Sequence, residues 1–182
     1  MNGAPARRRG CGGAGGAARA GATVKVASAL RRCAVLLRSR GRARIARSAI
    51  IERRAVIRVE SGAELEIGDG VRVGGGARIL VRSGGRVEVG DGAELQERAT
   101  VVSLAQVAIG AKASLGEMSV VVDFAAPEAE EVELPLRAQA LAAAPVRIGD
   151  GAVVGPKAVV GAGARVPDGG RVLAGTMLGQ MI

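Results

Sequence analysis

Aliphatic residues recur along most of this chain at intervals of six. From Ile148 the series runs Val154, Val160, Val166, Val172 and Leu178 without a slip. Upstream, Ile67-Gly68-Asp69-Gly70-Val71-Arg72 is followed by Val73-Gly74-Gly75-Gly76-Ala77-Arg78 and then Ile79. The phrase returns at Val89-Gly90-Asp91-Gly92-Ala93-Glu94, at Ile109-Gly110-Ala111-Lys112-Ala113-Ser114 and at Ile148-Gly149-Asp150-Gly151-Ala152-Val153. Six is not a helical period; it fits short strands meeting at turns. Three such units make one triangular coil of about 18 residues, with the first residue of each unit facing inward. The fifth is small because it sits near a corner, as at Val71, Ala77, Ala93, Ala99, Ala113, Ala152, Ala158 and Ala164. Asp-Gly pairs supply the turns. Stacked coils pair their backbones and bury a continuous aliphatic column. The expected fold is therefore all-β, a parallel β-helix.

Two irregularities interrupt the period. Ile67, Val89 and Ile109 are spaced by 22 and 20 residues. A few residues are thus expected to bulge from a corner, at Ser61-Gly62 and Ser83-Gly84-Gly85. Between Ile109 and Ile148 lie 39 residues, about one coil too many. The surplus, roughly 124–145, holds Pro127, Glu128, Glu130, Glu131, Glu133, Pro135 and Arg137, and reads as a projecting loop. Long loops in regular solenoids commonly carry function.

Before the repeats the pattern changes. Residues 1–22 are rich in Gly, Ala and Arg and are expected to be disordered. Residues 23–50 carry Val24, Val26, Leu30, Ala34, Val35, Leu36 and Leu37 among paired arginines, which predicts a short helix near 27–38 that ends before Gly41. Such a helix can cap an open β-helix end, where strand edges are otherwise unpaired. It can also lie on a membrane surface. The β-helix itself is expected over 51–175, followed by a tail at 176–182.

Composition agrees with a narrow core. The chain is 48% hydrophobic, yet has one Phe and neither Trp nor Tyr, with 29 glycines. The charge is uneven: residues 1–54 hold 14 Lys and Arg against Glu52 alone, leaving 12 bases and 16 acids in the remainder. The basic segment could meet anionic lipid, nucleic acid or an acidic partner, or simply be solvated. No interleaved aromatics favour stacking on single strands, and no specific nucleic-acid partner is expected. Cys11 and Cys33 lack metal-ligand spacing, and no His is present to complete a zinc site, so no metal is expected. No signal-peptide core follows Arg7-Arg8-Arg9, and a cytoplasmic protein is expected.

Over residues 54–175 the repeats resemble those of the hexapeptide-repeat (isoleucine-patch) acyltransferases. The segment Val121-Val122-Asp123-Phe124, the acidic loop, and Pro145-Val146-Arg147-Ile148-Gly149-Asp150-Gly151 are similar to one branch of that family. The closing Val166-Pro167 and Ala174-Gly175 also resemble it, although Thr176-Met177 departs from the usual ending. The resemblance implies left-handed coiling and a homotrimer. It also implies transfer of an acyl group from acetyl-CoA or another acyl-CoA to a sugar-like or other small hydroxylated or amine acceptor. In the family a His after the Asp-Phe pair acts as general base; here that position is Ala125. Asp123 and Glu117 are then the candidate catalytic carboxylates, with Asp123 alternatively a structural or substrate-orienting residue. For CoA the resemblance implies contacts near Gly155, Lys157, Gly161 and Ala162, with Lys157 facing a phosphate, although Pro156 lacks an N–H there. A non-catalytic trimeric scaffold or binding protein is the alternative. Zinc-dependent relatives of the same fold are excluded by the absence of His.

Overall fold

A computed structural model describes residues 16–125 and 141–179. The chain forms one helix, α1 (Gly16–Ser39), followed by six coils of a three-sided parallel β-helix, of the left-handed kind expected. Each coil contributes one strand to each of three six-stranded faces. On the first face the column runs Ala43–Ile45, Glu64–Ile67, Arg86–Val89, Gln106–Ile109, Val146–Ile148 and Arg165–Val166. The second face begins at Ile50–Ile51 and ends at Arg171–Val172; the third begins at Val56–Val59 and ends at Met177–Leu178. The β-helix thus starts at Ala43 and runs to Leu178, beyond the expected limits of 51 and 175 at both ends. Ala43-Arg44-Ile45 joins it because Ala43 and Ile45 stand in register with Leu65 and Ile67, a match too short to register as periodicity.

Burial follows the period. Leu65, Ile67, Val73, Ile79, Val87, Val89, Leu95, Val101, Ile109, Leu115, Val121, Ile148, Val154 and Val160 form the buried column. The small fifth residues, from Val71 to Ala164, are buried beside it. Register makes the sequence spacing physical: Ile67 pairs with Val89, Val89 with Ile109, and Ile109 with Ile148.

The extra residues of the early coils do not bulge. They lengthen the strands that flank the corner between the third and first faces, so that Val56–Val59 and Glu64–Ile67 are four-residue strands joined by a tight turn. The added positions Val81, Ser103, Leu65, Val87 and Val107 point inward and widen the core. Burying more aliphatic surface is more favourable than pushing backbone out of a corner, at roughly 25 cal/mol per Å² of apolar surface.

At the corner between the first and second faces, the repeated Asp-Gly phrases do more than turn the chain. Asp91 Oδ1 accepts from the Asp69 N–H at 2.7 Å, Asp150 Oδ1 from Ala111 N–H at 2.8 Å, and Asp168 Oδ1 from Asp150 N–H at 2.9 Å. Each carboxylate therefore ties its coil to the preceding one. The glycine at the same corner one coil earlier leaves room for it: a Cβ at Gly68, Gly110 or Gly149 would collide with the carboxylate of Asp91, Asp150 or Asp168. Backbones approach closely here as well. A Cβ at Gly90 would stand 2.6 Å from the Ala111 nitrogen.

Helix α1 begins earlier than the predicted residue 27 and covers part of the segment expected to be disordered; residues 1–15 lie outside the described residues. It packs on the first three strands. Its polar side chains serve the open strand edge. Ser28 Oγ accepts from the Ile51 N–H at 2.8 Å, Arg31 Nη1 donates to the Ile51 carbonyl at 2.8 Å, and Arg32 Nη1 donates to the carbonyls of Ala49 (3.0 Å) and Arg47. The paired arginines that made the segment look merely basic are thus caps for unpaired β-edge groups. Among the described residues no helix is long and apolar enough to cross a membrane.

Candidate functional site

The projecting segment leaves the fold where the third face of coil 4 should turn into the first face of coil 5. Its root is a short antiparallel ribbon, Phe124–Ala125 against Ala142–Ala143, with Phe124 opposite Ala143 and Ala125 opposite Ala142. The loop body, 126–140, lies outside the described residues. Ala125, where the family resemblance calls for His, is a buried methyl in this ribbon.

Asp123 sits immediately before the ribbon and is fully buried. It continues an inward column in which Val81 is followed by Ser103, so the core turns polar just where the loop departs. Its two carboxylate oxygens are engaged by three donors. Oδ2 accepts from Ser103 Oγ–H at 2.7 Å and from the Ala105 N–H at 2.8 Å, while Oδ1 accepts from the Leu104 N–H at 2.7 Å. The carboxylate therefore closes the corner of the coil beneath, where the chain bends without a glycine (Leu104-Ala105) and the two amides have no strand partner. On the far side, Ala144 N–H donates to the Asp123 carbonyl at 2.8 Å, tying the loop's exit to its entrance.

Glu117 is not beside Asp123. It occupies the exposed turn between the second and third faces of coil 4, where its carbonyl accepts from the Lys157 N–H at 2.8 Å. Its side chain borders a small depression of about 270 Å³ with Glu52, Arg72, Glu94 and Glu97. There a hydrogen bond to Glu52, reinforced by its charge, raises the pKa of Arg72. The two candidate carboxylates thus belong to different corners.

The positions expected to contact CoA divide in the same way. Gly155 and Lys157 form the corner before the strand Val159–Val160, and Gly161 and Ala162 the corner after it. Gly155, Gly161 and Ala162 are buried; Lys157 is exposed. The N–H groups of Gly155, Lys157 and Gly161 donate to the carbonyls of Val172, Glu117 and Leu178, so the coil-to-coil ladder already uses them.

A larger concavity lies elsewhere, on the outer side of the first face. It is a groove of about 790 Å³ that spans coils 2 to 6 and borders the loop's exit at Pro145. Outward side chains stand in register along it: Glu66, Glu88, Ala108, Arg147 and Arg165. One end is anionic, through Glu66 and Glu88. The other is cationic, because Arg147 and Arg165 are cross-strand neighbours. Neither arginine is in a salt bridge among the described residues. Ala108, at the middle, keeps the floor low. Sequence reading missed this site because the outward residue of each unit carries no periodic signal. Only the register, fixed by coil lengths of 22, 20, 39 and 18 residues, aligns these five side chains.

No protein-family model and no curated protein sequence matches the chain. Solved structures do. AntD, an N-acyltransferase from Bacillus cereus in complex with dTDP and 3-hydroxybutyryl-CoA, is similar over 84% of this chain and 77% of its own, with a TM-score of 0.65 at 13% identity. A point mutant of the same Bacillus cereus enzyme, in complex with dTDP-4-amino-4,6-dideoxyglucose and Coenzyme A, is similar over 84% and 78%, with a TM-score of 0.65 at 12% identity. At these identities the likeness establishes the fold: this chain is built as a hexapeptide-repeat β-helix of the kind found in those acyltransferases.

Proposed function

We propose that this protein transfers an acyl group from an acyl-CoA to the amine of a small, sugar-like acceptor bound in the groove over its first face. The observation that carries the choice of an amine is the loop root. The family's base position holds the Ala125 methyl, and the Asp123 carboxylate is buried under three donors. A hydroxyl acceptor must lose its proton as it attacks a thioester and needs a base within hydrogen-bond reach. A neutral amine already carries its nucleophilic lone pair. Its nitrogen forms the C–N bond, the C–S bond breaks, and the proton shed by nitrogen goes to the departing thiolate or to solvent. On this reading Asp123 is a positioning residue that holds the corner from which the loop springs.

The bipolar groove supports the same reading. Adjacent guanidiniums suit the phosphates of a nucleotide-bearing donor, since Arg binds phosphate through paired N–H donors. Glu66 would hold a protonated amine until it enters the reaction, since Glu88 is already paired with Arg86. The third face supports it too. The outer side of the third face carries two adjacent rows, Leu80, Val102 and Val122 in one and Val120 and Val159 in the other, an apolar strip that further copies in a homotrimer would cover.

The test is thiol release from acetyl-CoA with paired acceptors, an amino sugar and its hydroxyl counterpart. Release with the amine alone, rising with pH through the amine's own pKa, is expected. Ala125→His should add release with the hydroxyl acceptor. Release with the hydroxyl sugar by the native chain would overturn the reading. Absence of both release and CoA binding would favour the non-catalytic scaffold, for which the absent His and the ladder-bound amides of Gly155, Lys157 and Gly161 already argue.

A further inference from the structure

Helix α1 sets Val35 and three polar side chains against the first coil. Ser28, Arg31 and Arg32 face the first coil to cap its strand edge, so the opposite side of the helix faces out. That outer side is apolar. Leu30 and Leu37 are 69% and 80% exposed, and with Cys33 and Ala34 they follow the i, i+3, i+4, i+7 spacing of one helical stripe. Around this stripe the capped end of the prism is cationic. Arg38, Arg40, Arg47, Arg53 and Arg54 are exposed, and none is in a salt bridge among the described residues. Glu52, the one acid before residue 55, is occupied by Arg72. Residues 1–54 hold 14 of the 26 Lys and Arg, so positive charge is concentrated in this part of the chain.

We infer that the capped end docks on an anionic lipid surface, with Leu30 and Leu37 entering the interface and the surrounding arginines meeting lipid phosphates. The combination selects this occupant. A nucleic acid would satisfy the cations and leave the leucines in water. A second copy would satisfy the leucines and press like charges together. Residues 1–15 contain no Leu, Ile, Val or Phe with which to cover the stripe. A lipid surface takes both the apolar side chains and the charge. It would leave the first-face groove open along the prism wall, so docking is independent of the acyl-transfer reading.

The experiment is co-sedimentation of the full chain with phosphatidylcholine vesicles, with and without phosphatidylglycerol, alongside a Leu30→Ser/Leu37→Ser variant. Both leucines are exposed, so the variant should retain the native thermal transition. Binding to the anionic vesicles alone is expected, with release at high salt. The variant should bind on the order of ten- to a hundred-fold more weakly. No binding to anionic vesicles would overturn the inference. So would undiminished binding by the variant, which would mark a polyanion site, checked by equal affinity for single-stranded RNA. A vesicle-free rise in assembly mass that the variant abolishes would assign the stripe to a second copy and overturn it as well.

Discussion

Replacing Asp123 with Ala separates a corner anchor from a catalytic base. The carboxylate is fully buried and takes three donors, two of them backbone amides. Hydrogen bonds to a charged group contribute about 1.5–3 kcal/mol each, and an orphaned buried donor costs about 1–3 kcal/mol. Two effects reduce the sum. Removing a buried charge returns its desolvation penalty, and the Leu104 and Ala105 amides are only partly buried, so water can reach them. A net loss of about 3–4 kcal/mol is expected for Asp123→Ala. Asp123→Asn keeps the shape and one acceptor oxygen, and should lose about half as much. Urea unfolding followed by circular dichroism gives the stabilities, and hydrogen exchange at Leu104 and Ala105 locates the damage. Those two amides should lose protection before the rest of the third face. A stability change within about 0.5 kcal/mol, the range of an ordinary surface substitution, would refute the anchor, above all if acyl transfer were abolished at the same time.

Other substitutions probe the coil itself. Gly90→Ala should cost well over the roughly 1–3 kcal/mol of ordinary overpacking, because its Cβ meets the backbone of the next coil at 2.6 Å. Gly92→Ala should cost only about 1–2 kcal/mol, for its positive φ of 67°, since Lys112 already takes φ 56° one coil on; thermal melts of the pair should differ clearly. Ser119→Ala should stabilise by about 1 kcal/mol, because the buried Ser119 hydroxyl has no partner among the described residues and Ala99 and Ala158 flank it in the same column. Ser28→Ala should destabilise by about 1–2 kcal/mol, with early exchange at the Ile51 amide. Glu52→Gln should change stability by less than about 1 kcal/mol, since its bridge to Arg72 is largely exposed.

How much of this was legible beforehand follows from where the signal lies. Inward residues must be aliphatic and corner residues small, so Ile148, Val154 and Val160 announce the coil, and the Asp-Gly phrases announce its corners. Residue type does not tell which way a surplus residue goes. Ser61-Gly62 looked like a bulge, but the longer strands on either side absorb it. Paired arginines on a helix look alike whether solvated or capping; only the strand edge beside Arg31 and Arg32 decides. Asp123 was singled out from its neighbours Val122 and Phe124, but its three donors lie 18 to 20 residues earlier, across a coil. Glu117 shared a candidate site with it only in sequence, because six residues are enough to reach the next corner. Arg147 and Arg165 drew no notice as a pair because nothing but register brings them together.

The proposed acyl transfer requires above all a groove whose cationic end takes the phosphates of an acyl-CoA. Calorimetric titration of acetyl-CoA into the full chain and into an Arg147→Ser/Arg165→Ser variant tests it most directly. Saturable binding by the native chain is predicted, weakened roughly ten-fold or more in the variant, as expected for losing charge-assisted contacts to phosphate. Absence of binding by the native chain, or equal affinity in the two proteins, would contradict it.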